Sequence, residues 1–140
     1  MSPDLTLAQA VQAILLADRP AGLPADVSIR AMGDTQPVER PYLVAFCEDG
    51  ASPHPQLRQT TLVLRLRTRG DEQDPAAATG WHRAAVDYFR ANPACLRATL
   101  APHGITLTNF TATDYAEAEE PARGREYDQR WKVWMRVPEA

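Results

Sequence analysis

Three histidines and two cysteines are the side chains of this sequence that could ligate a metal or act as nucleophiles. His54, His82 and His103 have no second ligand at metal-like spacing, and HExxH, HxH and Cys/His clusters are absent. We therefore interpret them as a loop histidine, a helix-surface histidine and a helix-end histidine. Cys47 and Cys95 are far apart with no CxxC motif, so we expect reduced, structural thiols.

The carboxylates and glycines give no catalytic or phosphate-binding pattern. Asp114, Glu117, Glu119 and Glu120 form an acidic cluster, but we expect it in a solvated loop, whereas catalytic carboxylate pairs normally lie on rigid elements. The seven glycines are scattered singly and form no phosphate-binding loop. Cys47 would act as a nucleophile only with a histidine close in space, and a packed thiol is the commoner case. The sequence predicts neither an enzyme nor a cofactor.

Charge is sorted along two strand-like segments. From Thr60 to Thr68 and from Glu126 to Val137, apolar residues alternate with polar ones at a period of two, as in strands that pack one face. The polar face carries six cations and a tryptophan: Arg65, Arg67, Arg69, Arg130, Lys132, Arg136 and Trp134. Acidic residues gather at 71–74 and 114–120.

This charge pattern has several interpretations. One is an ordinary solvated sheet face whose long basic side chains cover apolar ground. A second joins the basic face to both acidic segments, including Glu117, Glu119 and Glu120, in one head-to-tail interface, which closes into a ring or continues as a filament. A third is a nucleic-acid platform in which Trp134 stacks on bases, although the net charge of −3 disfavours it. We rank the ring above the platform.

Length and composition bound the remaining possibilities. The 140 residues are 44% hydrophobic and 24% charged, which predicts one globular domain over residues 1–140 with a real core. No apolar run approaches the roughly 18 residues of a membrane span, and no signal-peptide pattern begins the chain, so a cytoplasmic location is expected. A small enzyme or ligand-binding domain stays open as a further hypothesis. It would need a pocket near Cys47, His54 or the acidic segment.

Periodicity and breakers predict the elements that position these residues. Ser2, Pro3 and Asp4 form a helix start, and Leu7 begins an apolar stripe at helical spacing. We predict strands at 27–32, 42–48, 60–68, 105–113 (with a bulge near Asn109) and 126–137, helices at 75–91 and 93–100, and loops at 49–56 and 114–125. This order implies an α+β fold: a single antiparallel or mixed sheet of four to five strands with two to three helices packed on one face.

In layout the chain resembles the phage tail-terminator and tail-completion proteins, which join head and tail in long-tailed phages. The resemblance comprises a leading helix (SPDLTLAQAVQAILL), a strand hairpin (YLVAFCED…QTTLVLRLRTRG), a central helix with an aromatic face (GWHRAAVDYFRAN) and a closing strand with tryptophans (RWKVWMRV). It implies a homo-oligomeric ring, typically a hexamer, that caps the tail tube and contacts the head connector. It also implies a place in the host cytoplasm and the virion, and no catalysis, cofactor, membrane or small-molecule substrate. Segment 35–41 has no place in this layout.

Overall fold

The helices and strands follow the predicted order. A computed structural model describes residues 2–35, 39–70, 75–120 and 123–138. Within them the α-helices are α1 (Pro3–Ala17), α2 (Pro75–Ala91) and α3 (Pro93–Leu100), and the strands are β1 (Ser28–Ala31), β2 (Tyr42–His54), β3 (Leu57–Arg67), β4 (Thr106–Glu120) and β5 (Gly124–Arg136). A single turn of 3-10 helix, Ala101–His103, follows α3.

The five strands form one mixed sheet in the order β1-β2-β3-β5-β4. β1 runs parallel to β2, and every other neighbouring pair is antiparallel. Helix α1 packs on β1 and β2, and α2 packs on β3 and β5. The predicted α+β class, with its helices on one face of a mixed sheet, is confirmed.

The core lies between the helices and one face of the sheet, as the alternation predicts. Leu62, Leu64 and Leu66 of β3 are buried there. Four side chains of β5 are buried beside them: Tyr127, Trp131, Val133 and Met135. The predicted start of α1 is confirmed too, because the Ser2 hydroxyl accepts a hydrogen bond from the Leu5 amide (3.4 Å) and Pro3 is the first helical residue.

Two segments that the sequence predicts as loops are strands. β2 continues through 49–54, so only Pro55 and Gln56 turn the chain, and β4 continues to Glu120. Gly, Pro and acidic residues are poor strand formers, but backbone pairing to β3 and β5 outweighs that preference. The acidic cluster therefore lies on a strand. Residues 71–74, the first of the two predicted acidic segments, lie outside the described residues, as do 36–38 of segment 35–41.

Register shifts keep the long strands aligned with the core. The predicted bulge near Asn109 is confirmed by a shift between Leu107 and Asn109, and a second shift lies between Ala112 and Tyr115. Strand β2 has two more shifts after Glu48. Each shift changes which face the following residues occupy. As a result Phe110 and Tyr115 both lie on the helix-covered side of β4, opposite Val133 and Gln129.

Candidate interaction surfaces

The sheet face opposite the helices, here called the open face, carries most of the predicted site residues. Arg65 and Arg67 of β3 lie opposite Asp128 and Glu126 of β5. The same parity places four more predicted residues on the open face: Arg130, Lys132, Trp134 and Arg136. Arg69 follows the end of β3 and lies 3.6 Å from Asp26, with both side chains more than half exposed. The sequence thus predicts a shared face correctly for six of the seven residues.

Six charged side chains alternate in sign across the open face and form what we call the charge ladder: Arg67, Glu126, Arg65, Asp128, Arg130 and Glu48. Its centre is Arg65, which donates two hydrogen bonds to Asp128, at 2.8 Å from Nε and 2.9 Å from the terminal nitrogen. The Nε atom of Arg65 also lies 3.2 Å from Glu126. Asp128 is only 5% exposed, so this pair is well shielded from water.

The ends of the charge ladder are held just as closely. Arg67 donates from Nε to Glu126 at 2.9 Å and from a terminal nitrogen to the Tyr42 hydroxyl at 2.7 Å. Arg130 donates from Nε to Glu48 at 2.8 Å. The hydrogen bond to Asp128 raises the pKa of Arg65, and that to Glu48 raises the pKa of Arg130. These arginines are therefore committed to carboxylates of their own chain.

The acids of the charge ladder change what the open face can bind. Arg65 also lies over the Phe46 ring, 4.8 Å from its centroid, so its guanidinium is enclosed on several sides. Because three carboxylates balance three arginines, the ladder has no excess charge for phosphates. Lys132 and Arg136, on either side of Trp134, have no ion-pair partner among the described residues. Side chains alternate between the two faces of a strand, so Glu48 shares the face of Tyr42 in β2 and Glu126 shares the face of Asp128 in β5. This alternation could have placed both glutamates on the open face.

The acidic cluster lies at the far edge of the sheet and is partly paired. Glu117 accepts a hydrogen bond from Arg125 at 3.0 Å, and Glu120 accepts one from Arg40 at 2.9 Å. Glu119 has no ion-pair partner in the described part of the chain. The register places Glu117 opposite Tyr127, so it projects on the helix side of the sheet and not on the open face. The sequence could not indicate this, because the side depends on the second register shift.

A groove runs between α2 and the edge strand β4. It consists of two adjoining cavities of about 300 and 260 Å³ that share Val86 and Arg90. The first is lined by His82, Arg83, Val86, Asp87, Arg90, Tyr115 and Gln129, and the second by Val86, Phe89, Arg90, Pro93, Phe110, Ala112 and Trp131. The Phe110 ring stacks on Trp131 with centroids 5.3 Å apart, and Tyr115 is 44% exposed. We call this the α2–β4 groove.

His82 lines the inner wall of this groove and is fully buried, so its interpretation as a helix-surface histidine is wrong. Its Nε2 lies 2.8 Å from the Leu64 carbonyl oxygen, which can only accept, so Nε2 carries the proton. Burial lowers the pKa of His82, which is therefore neutral at pH 7. Its Nδ1 has no hydrogen-bond partner among the described residues. His82 lies at helical spacing from Ala78, Ala85 and Phe89. This spacing, which is visible in the sequence, could have indicated that His82 is buried.

The remaining candidates for chemistry are placed separately. Burial, followed by the charge of Asp4, raises the pKa of Cys47 to about 12, and its thiol donates to the Asp4 carbonyl oxygen at 3.5 Å. His54 is exposed at the end of β2, and His103 is exposed in the turn after α3. The described residues contain no group of three or more His, Cys, Asp or Glu side chains placed to hold a metal ion. In the described part of the chain no helix is both long and apolar enough to span a membrane.

Comparison with known proteins identifies a shared fold. No protein-family model matches this chain, and no curated protein does. A chain from the virion of a native gene transfer agent particle superposes on it with a TM-score of 0.63, covering 96% of this chain and 99% of that chain. The two chains have one fold. At 16% sequence identity the likeness extends to the fold alone.

Proposed function

We propose that this protein is a structural component of a phage-type virion, of the tail-terminator or head–tail joining class. In this role it is non-catalytic and assembles as a homo-oligomeric ring at the end of the tail tube. The observation that supports the proposal best is the match to a virion chain over nearly the whole length of both proteins. The layout of leading helix, strand hairpin, aromatic helix and closing tryptophan strand supports the finer assignment.

The placement of surfaces is compatible with a closed ring. A ring protomer needs two different, complementary surfaces, because its contacts are head-to-tail. The two lateral edges of this sheet differ in this way. One edge is β4, which pairs on one side only, and the other is formed by β1 and the part of β2 beyond Ala45 that β1 does not cover.

Nine of the ten predicted interface residues fall into three groups in this proposal. Arg65, Arg67 and Arg130 belong to the charge ladder and shape the open face, whereas Arg69 lies beyond the end of β3. Lys132, Trp134 and Arg136 form a cationic patch that we assign to a neighbouring virion component such as the tail tube or head connector. The acids on β4, Glu117, Glu119 and Glu120, belong to the edge that faces the next protomer. The cationic patch lies on β5, next to the acids on β4, so the two cannot be the opposite ends of a head-to-tail contact. The β4 edge therefore needs a complementary surface on the opposite edge of the next protomer.

A nucleic-acid platform is less well supported than the ring. Phosphate contacts need arginines and lysines that are free to release counterions, and the charge ladder already satisfies three of the arginines. Binding of oligonucleotides at low salt, weakened strongly by added salt and by Arg67→Glu, would favour the platform instead. The ring proposal predicts no such binding.

Light scattering coupled to size exclusion tests the ring. We expect a mass several times 15.5 kDa, or association that increases with concentration, and annular particles by negative-stain electron microscopy. Addition of purified tail tubes should produce particles at tube ends if the ring assembles only on its target. A protein that stays monomeric at millimolar concentration and leaves tube ends bare would contradict the proposal.

A further inference from the structure

The α2–β4 groove has binding capacity that its own chain leaves unused. Its floor holds the stacked pair of Phe110 and Trp131, and the partly exposed Tyr115 ring lies 5.7 Å from the His82 ring. Exposed aromatic surface beside a cavity is what a docking site offers. The groove also lies against an edge strand, so a partner can approach it from outside the sheet.

The polar groups of the groove define the chemistry of its occupant. Arg83 is exposed and has no ion-pair partner in the described chain, and Arg90 reaches Asp87 only at 3.8 Å. His82 has an Nδ1 acceptor without a donor. The best occupant therefore combines an acidic group for the arginines, a hydrogen-bond donor for the inner wall and an apolar surface for the aromatic floor.

One segment of this chain has all three properties. Residues 49–56 (DGASPHPQ), here called the hairpin arm, form the end of β2 and the turn into β3, and every one of them is exposed. Asp49 supplies a carboxylate, and Pro53 and Pro55 supply proline surface, which aromatic grooves bind well. The Ser52 oxygen accepts a hydrogen bond from Arg58 at 3.2 Å, so its hydroxyl hydrogen remains available to donate.

The hairpin arm cannot fill the groove of its own chain. In the order β1-β2-β3-β5-β4, three strand spacings separate β2 from β4, or roughly 14 Å at about 4.8 Å each. Beyond Ala45 the outer side of β2 has no strand neighbour among the described residues, so the arm lies on the strand at the opposite side of the sheet order from β4. The two surfaces therefore meet only between copies, head to tail.

We propose, building on the ring assembly above, that the hairpin arm of one protomer docks in the α2–β4 groove of the next. Asp49 pairs with Arg83 and Arg90, and the prolines pack on the floor formed by Phe110, Trp131 and Tyr115. This contact joins the α2–β4 groove of one protomer to the β2 edge of the next.

Cysteine trapping tests the contact directly. In a chain carrying Cys47→Ala and Cys95→Ala, a tagged Ser52→Cys protein is mixed with an untagged Tyr115→Cys protein under mild oxidation. We expect a disulfide between the two chains at least tenfold above that formed with Ala98→Cys, an exposed position on α3. A yield equal to the Ala98→Cys control would overturn the docking.

A charge reversal separates this inference from the ring proposal. Arg83→Glu should weaken association at least tenfold by light scattering, whereas Arg97→Glu, an equally exposed helical arginine on α3, should leave it unchanged. Circular dichroism confirms that both variants fold. If the wild type forms rings and Arg83→Glu forms them equally well, the docking is wrong and the ring stands. If the wild type never associates, leaves tail-tube ends bare and forms no disulfide, both proposals fail.

Discussion

The guanidinium of Arg58 donates two hydrogen bonds to the carboxylate of Asp4, at 3.0 and 2.8 Å. This pair joins the start of β3 to the first turn of α1, and Asp4 is only 9% exposed. A Cβ atom on Gly50 would lie 2.7 Å from the Asp4 carboxylate and would also meet Arg58. A glycine at this position thus leaves room for the pair beside the base of the hairpin arm.

Loss of the Asp4 carboxylate should destabilise the fold. We expect Asp4→Ala to lower the free energy of unfolding by about 2 kcal/mol, because it leaves the partly buried Arg58 without its acid. Urea denaturation measures this. Arg90→Ala is the control, since its ion pair with Asp87 is long and exposed, and it should change stability by no more than about 0.5 kcal/mol. Equal effects of the two changes would show that the Asp4 pair contributes little.

Removal of the central acid of the charge ladder should have a larger effect. Asp128→Asn keeps the size of the side chain but leaves Arg65 and Arg130 with only their outer carboxylates, so we expect a loss of about 3 kcal/mol. Lys132→Met, on the same strand and face, has no ion partner to lose among the described residues and should cost under about 0.5 kcal/mol. Chemical denaturation of both variants compares them, and a loss below 1 kcal/mol for Asp128→Asn would argue against the ladder as a stabilising network.

His82 should make stability depend on pH on the acid side of neutrality. Its pKa in the folded protein lies below the ordinary 6.5, mainly because of burial. As the pH falls, the unfolded chain therefore binds a proton at His82 before the folded protein does. The contribution of neutral His82 to the free energy of unfolding is complete above about pH 6.5 and decreases below it. We expect the urea midpoint of the wild type to fall between pH 7.5 and pH 5.5.

The variant His82→Phe should show a smaller pH dependence over this range, although it loses the hydrogen bond to Leu64 and is less stable at pH 7.5. His103→Gln replaces an exposed histidine and should retain the wild-type pH profile. Identical profiles for His82→Phe and the wild type would assign the acid sensitivity to other groups.

Two glycine substitutions should act in opposite directions. Gly124 begins β5 with a φ of 119°, and an added Cβ would press on the backbone oxygens of Thr68 and Arg69. Gly124→Ala should therefore cost more than about 2 kcal/mol. Gly80 lies within α2 with no atom near the position of a Cβ, so Gly80→Ala should stabilise by about 1 kcal/mol. Thermal unfolding of both variants measures the difference, and a neutral Gly124→Ala would mean that the turn rearranges freely.

Local patterns predicted most of this fold. The cap at Ser2, the leucine alternation of β3 and the aromatic alternation of β5 each depend on residues close in sequence. The strand extensions at 49–54 and 114–120 could not be predicted in this way, because pairing with a distant strand holds a sequence rich in Gly, Pro and acids in extended form.

The surface was predicted less completely than the fold. The basic residues of the open face were found from parity alone, but their carboxylate partners come from two strands, β2 and β5, and cross-strand register is not readable from one sequence. The α2–β4 groove was missed for the same reason, since it combines α2 with Phe110, which follows one register shift of β4, and with Tyr115, which follows two. His82 belongs to α2 and contacts Tyr115 of β4, so its burial depends on both elements.

The balance of the charge ladder has a consequence for any assembly that brings several ladders together. Copies that set their charge ladders side by side would add equal positive and negative charge, so the ladders of neighbouring subunits would not repel one another. A polyanion that passed along the ladders would meet no net charge there, because the guanidinium groups are paired with carboxylates of their own chain. Neutrality of this kind suits a conduit that must neither hold nor reject a polyanion.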